Sequence, residues 1–103
     1  MTHDSEDAAV AAKIKTVVLN VRYISARHPF LDPKAERTET LAALKPRVLT
    51  FFHLVEGPVD GGVKSYIFAH DQTELKDMSV TLGSLAGERH ELKLNLIERF
   101  EQG

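Results

Sequence analysis

The 103-residue sequence contains no cysteine and no tryptophan. Without thiols there is no disulfide, no thiolate nucleophile and no zinc–thiolate site. That absence fits a cytoplasmic chain. A basic surplus is missing too. Lys and Arg number 13 against 15 Asp and Glu, so the formal charge of −2 leaves no electrostatic footprint for nucleic acid. No apolar run approaches the roughly 18 residues of a membrane helix, so a membrane is not an expected partner. The acidic opening, residues 1–12, lacks the positive n-region and apolar core of a secretory signal and reads as a flexible, solvated arm. What remains is ordinary globular chemistry, 43% hydrophobic and 27% charged, in one domain's length of chain. A domain this size buries roughly two-thirds of its unfolded surface and needs no metal or disulfide staple.

Residues 14–24 are rich in β-branched side chains, and Val17, Leu19, Val21 and Tyr23 alternate with a mixed set, Val18, Asn20, Arg22 and Ile24. The pattern predicts a half-buried strand. Two prolines in residues 28–36 limit the next segment to a short edge strand around Phe30 and Leu31, leaving at Asp32-Pro33. Leu41, Leu44, Val48, Phe51, Phe52 and Val55 then recur at helical spacing. They predict one helix over 38–55, capped by Thr38, kinked at Pro46 and stopped by Gly57-Pro58. Residues 56–63 read as a turn-rich connection, Lys64–His70 as a strand, Asp71–Thr73 as a tight turn and Glu74–Lys76 as a very short strand. Leu82 and Leu85 suit a single helical turn. His90–Phe100 alternates cleanly, with Leu92, Leu94 and Leu96 inward and Lys93, Asn95 and Ile97 outward. The first and last strands, the most apolar, are expected to pair centrally and in parallel, with the helix as crossover. The expected core is Val17, Leu19, Val21, Leu41, Leu44, Val48, Phe51, Phe68, Leu82, Leu85, Leu92, Leu94 and Leu96.

No catalytic pattern stands out. His3, His28, His53, His70 and His90 form no metal-ligand spacing. Gly83–Gly87 places its serine one residue too early for a nucleophile elbow. Asp60-Gly61-Gly62 is not followed by the Gly-Lys-Ser/Thr of a phosphate loop. Neither an enzymatic activity nor a cofactor is expected.

The order of elements resembles the ubiquitin-like β-grasp, and short stretches of sequence run in parallel with it. Glu56–Asp60 resembles the turn after ubiquitin's helix, and Tyr66-Ile-Phe-Ala69 its third strand. Thr73–Asp77, Thr81–Ser84 and Glu91–Leu96 are similar to the segments that follow. The collinear match covers roughly residues 14–100, most tightly 56–96, and its character resembles the prokaryotic ubiquitin-like proteins. The resemblance implies an α+β fold, a mixed four- to five-stranded sheet wrapped on one helix. It implies an arm at 1–12, a domain at 13–100 and a tail at 101–103.

Proteins of this kind are recognised non-covalently through the sheet face or attached to targets through a C-terminal glycine. By resemblance, Ile67 matches the central isoleucine of the recognition face, Lys93 and Asn95 stand where the family has histidine and valine, and Ile97 extends the same face. Arg99, Phe100 and Gly103 resemble the conjugation tail. Glu101 and Gln102 depart from it, and Gln102 brings a side chain where a narrow enzyme channel favours glycine. The leading expectation is therefore a protein-binding module using Ile67, Lys93, Asn95 and Ile97. The alternatives are a modifier conjugated through Gly103 by an activating or conjugating enzyme, or a sulfur carrier bearing a thiocarboxylate there.

Overall fold

A computed structural model describes residues 15–102. β1 (Thr16–Tyr23) and β2 (Phe30–Glu36) precede helix α1 (Leu41–Phe52). β3 (Gly57–Val59), β4 (Gly62–His70) and β5 (Thr73–Glu74) follow, then the short helix α2 (Leu82–Ala86) and the long strand β6 (Glu91–Gln102). The six strands form one sheet in the order β2-β1-β6-β4-β3, with β5 paired to β4. β1 and β6 lie side by side at its centre and run parallel, from Val18 opposite Glu91 to Tyr23 opposite Leu96. All other pairings are antiparallel. Leu41, Leu44 and Val48 of α1 close the inner face, packing with Val17, Leu19, Val21, Phe68, Leu82, Leu92, Leu94 and Leu96 in one buried cluster.

Two expected core members lie elsewhere. Phe51 is 46% exposed; its ring meets Phe30 edge-on at 5.4 Å, at the rim between α1 and β2. Leu85 is half-buried against the cluster. Tyr66, Phe30, Ala35 and Ala86 take part in the core instead. The Tyr66 hydroxyl donates to the Glu98 carboxylate at 3.3 Å, and burial, with Tyr23 and Glu98 beside it, pushes its pKa up to about 12.

The helix is a single element through Pro46, which sits on its exposed side, but its ends differ from expectation. Thr40, not Thr38, is the N-cap, its hydroxyl accepting from the Ala43 N–H at 3.2 Å. Glu39 turns aside to Arg47, whose guanidinium also reaches Asp32 and tethers α1 to β2. The hydrogen bond to Glu39 is the main reason the Arg47 pKa is raised. The helix stops at His53, left-handed at φ 60, four residues before Gly57. Leu54 N–H bonds to Leu49 O at 2.8 Å, the bond that closes a Schellman terminus.

The sheet also exceeds the expected four or five strands. β2 continues past Pro33 to Glu36: the pairing steps from Leu19 opposite Asp32 to Val17 opposite Ala35, so β2 holds one extra residue at Pro33-Lys34, and at an edge a proline costs no ladder bond. Gly57–Val59, expected as connection, is strand β3. β6 carries Glu101 and Gln102, expected as tail, into the ladder opposite Val63 and Gly62. The arm at 1–12 lies outside the described residues.

Candidate functional site: the outer face of the sheet

The burial alternation of β6 decides which side chains face outward. Leu92, Leu94 and Leu96 are buried, so Lys93, Asn95 and Ile97 stand on the opposite face. On β4, Tyr66 and Phe68 are buried and Ile67 points the other way. The antiparallel register sets Ile67 directly opposite Ile97, and Ala69 opposite Asn95. The parallel register sets Arg22 beside Asn95 and Asn20 beside Lys93. All four residues expected from the sequence therefore share one face. Ile67 and Ile97 form a half-buried cross-strand pair, whereas Lys93 and Asn95 are exposed.

Ile24 was missed. In the sequence it lies on the mixed face of the first strand. In the structure β1 ends at Tyr23, and Ile24 follows it with 97% of its surface exposed. A groove of about 660 Å³ runs past it, lined by Tyr23, Ile24, Ala69, Asn95, Ile97 and Glu98 among others. Ile97 thus has Ile24 beside it in the groove and Ile67 opposite it on β4, with the exposed cations Arg22 and Lys93 on the same side of the sheet. Arg99, next outward on β6, forms an ion pair with Glu74 of β5. A bare isoleucine at a strand end follows from where the sheet stops, which no local sequence signal reports.

Among the described residues no three His, Asp or Glu side chains gather as a metal site. No described helix is long and apolar enough to cross a membrane. Gly103 lies outside the described residues.

No protein-family model matches this chain, and no curated protein matches it. Solved structures do resemble it. A Caldiarchaeum subterraneum ubiquitin superposes with TM-score 0.60 at 19% identity, over 84% of this chain and 98% of its own. A protein whose molecular mimicry of SUMO promotes DNA repair gives TM-score 0.58 at 14% identity, over 81% and 91%. The N-terminal ubiquitin-like domain in the 4931431F19Rik protein gives 0.54 at 13%, over 86% and 80%. The fold of this chain is the ubiquitin-like β-grasp.

Proposed function

We propose that this ubiquitin-like chain is a protein-interaction module, recognised non-covalently through the outer face of its sheet. The observation that carries the reading is the paired Ile67 and Ile97, with bare Ile24 beside Ile97 and the cations Arg22 and Lys93 on the same side of the sheet. A partner of matching chemistry offers an apolar anchor bordered by carboxylates, since interfaces combine a dry centre with a polar rim. The state of β6 favours this reading over conjugation through Gly103. Arg99, Glu101 and the residues between them are ladder-paired to β4, whereas a conjugated tail has to enter an enzyme as a free extended peptide.

The test is capture of protein partners from a native lysate by wild type, Ile24→Asp and Ile67→Asp. Ile24→Asp touches no core contact, so its thermal midpoint stays within about 2 °C of wild type, as for surface changes generally. Both variants lose the captured protein. Equal capture by all three chains refutes the face. A series of ATP-dependent adducts that disappears when Gly103 is deleted puts conjugation in its place.

A further inference from the structure

β6 is a central strand in its first half and an edge strand in its second. Its pairing with β1 ends at Leu96, opposite Tyr23, while its pairing with β4 continues to Gln102. Among the described residues nothing pairs with the other side of Ile97–Gln102. Open strand edges template further strands unless they are blocked by proline, a bulge, a cover or charge; residues 97–102 hold no proline and no bulge, and their charged members, Glu98, Arg99 and Glu101, restrict which strand can pair there.

The backbone polarity of that edge follows from the parallel ladder. Val18 N–H donates to His90 O at 2.8 Å, so the even-numbered residues of β6 turn their N–H and C=O groups toward β1. Glu98, Phe100 and Gln102 accordingly turn theirs to the open side. A second, antiparallel copy of β6 satisfies them only when even residues face even residues.

We propose that this edge joins two copies of the chain about a two-fold axis centred on Phe100. In that register Phe100 exchanges both backbone bonds with the partner's Phe100, and Glu98 with the partner's Gln102. Arg99 lies directly opposite the partner's Glu101, and Glu101 opposite the partner's Arg99. The neighbouring even registers set Arg99 against the partner's Arg99, or Glu101 against the partner's Glu101, and like charges directly opposite are destabilising. Only the Phe100-centred pairing is complementary in charge. It also brings the two Phe100 rings, each 46% exposed, to one face as a cross-strand aromatic pair. The symmetry is isologous and closes at two chains. The paired stretch is short, and small interfaces associate weakly.

Sedimentation equilibrium on the full chain up to about 1 mM tests this, because a small interface falls in the weak range. Wild type shows a concentration-dependent dimer. Arg99→Glu and Glu101→Arg each weaken self-association at least tenfold, since one chain then carries two acids on this face of the edge and the other two bases. An equimolar mixture of the two variants dimerises again, because every facing pair is once more of opposite charge. Circular dichroism and thermal midpoints confirm that both variants are folded. A wild type that stays monomeric throughout overturns the proposal. So do single variants that dimerise as wild type does, and a mixture that fails to associate. The edge adjoins the Ile24–Ile97 groove at Ile97 and Glu98, but Arg99→Glu and Glu101→Arg leave Ile24, Ile67 and Ile97 in place, so partner capture by these two variants separates loss of the dimer from loss of the face.

Discussion

Glu56 joins the helix to the sheet, and removing its carboxylate has a calculable effect. β3 begins at Gly57, opposite Lys64, so the Tyr66 N–H has no strand to bond with. Glu56 Oε2 supplies the acceptor at 2.8 Å and holds Lys45 Nζ of α1 at 2.6 Å. Burial works to raise the Glu56 pKa, but Lys45 and the Tyr66 N–H outweigh it and hold it below the ordinary 4.5. A hydrogen bond to a charged group contributes about 1.5–3 kcal/mol. The half-exposed ion pair adds less than about 1 kcal/mol. Glu56→Ala therefore destabilises by about 2 kcal/mol, or about 8–16 °C in midpoint for a domain of this size. Glu56→Gln, which keeps an acceptor and loses the charge, costs about half of that. A depressed carboxylate pKa stabilises the fold above the unfolded value, and the benefit is lost as pH falls through the folded value. The gap between wild type and Glu56→Gln thus closes as the pH falls below the unfolded carboxylate's value and on through the lower folded one. Urea titrations at pH 7 and about pH 3 read both effects. An alanine variant within about 0.5 kcal/mol of wild type at pH 7, the range of an inert surface change, refutes the reasoning. A glutamine gap unchanged by acid does so as well.

Two further expectations concern particular backbone positions. Pro46→Ala restores a helical N–H in the interior of α1 at an exposed site and raises stability by about 1–2 kcal/mol in urea, net of the entropy proline removes from the unfolded chain; a loss of stability contradicts it. In Gly62→Ala the new methyl collides with the Glu101 carbonyl oxygen and comes within 2.8 Å of the tip of Phe100, so the distal ladder has to open. Amide exchange at Glu101 then accelerates at least tenfold while Leu94 keeps its protection, and equal protection at both counts against it.

Much of this architecture is written in local pattern. The alternation of Leu92, Leu94 and Leu96 against Lys93, Asn95 and Ile97 defines a strand with two faces, and the same holds for Val17–Tyr23. Because both strands are apolar on the inward side and a helix lies between them, the central parallel pair and the shared outer face follow. What escaped notice depends on partners distant in sequence. Gly57-Pro58-Val59 has the composition of a turn and becomes a strand only because Gly62–Lys64 lies beside it. Glu101 and Gln102 have no apolar signature and are held in place by Val63 and Gly62. Phe51 matched the helical stripe, but α1 rotates it to the rim against Phe30. Thr38 and Thr40 both suit a cap by residue type, and only the backbone geometry distinguishes them.

The two helices are tied at their beginnings. Leu41 and Ala42 N–H donate to Val80 O and Met78 O, just ahead of α2, while Leu82 and Gly83 N–H donate to Glu39 O and Arg37 O, just ahead of α1. Each first turn thus finishes the other's hydrogen bonding, where an isolated terminus relies on water. The five residues of α2 could not nucleate alone, and their order is borrowed from a segment some forty residues earlier. Breathing at either terminus is consequently shared, and the pair melts as a single clasp although its halves are widely separated along the chain.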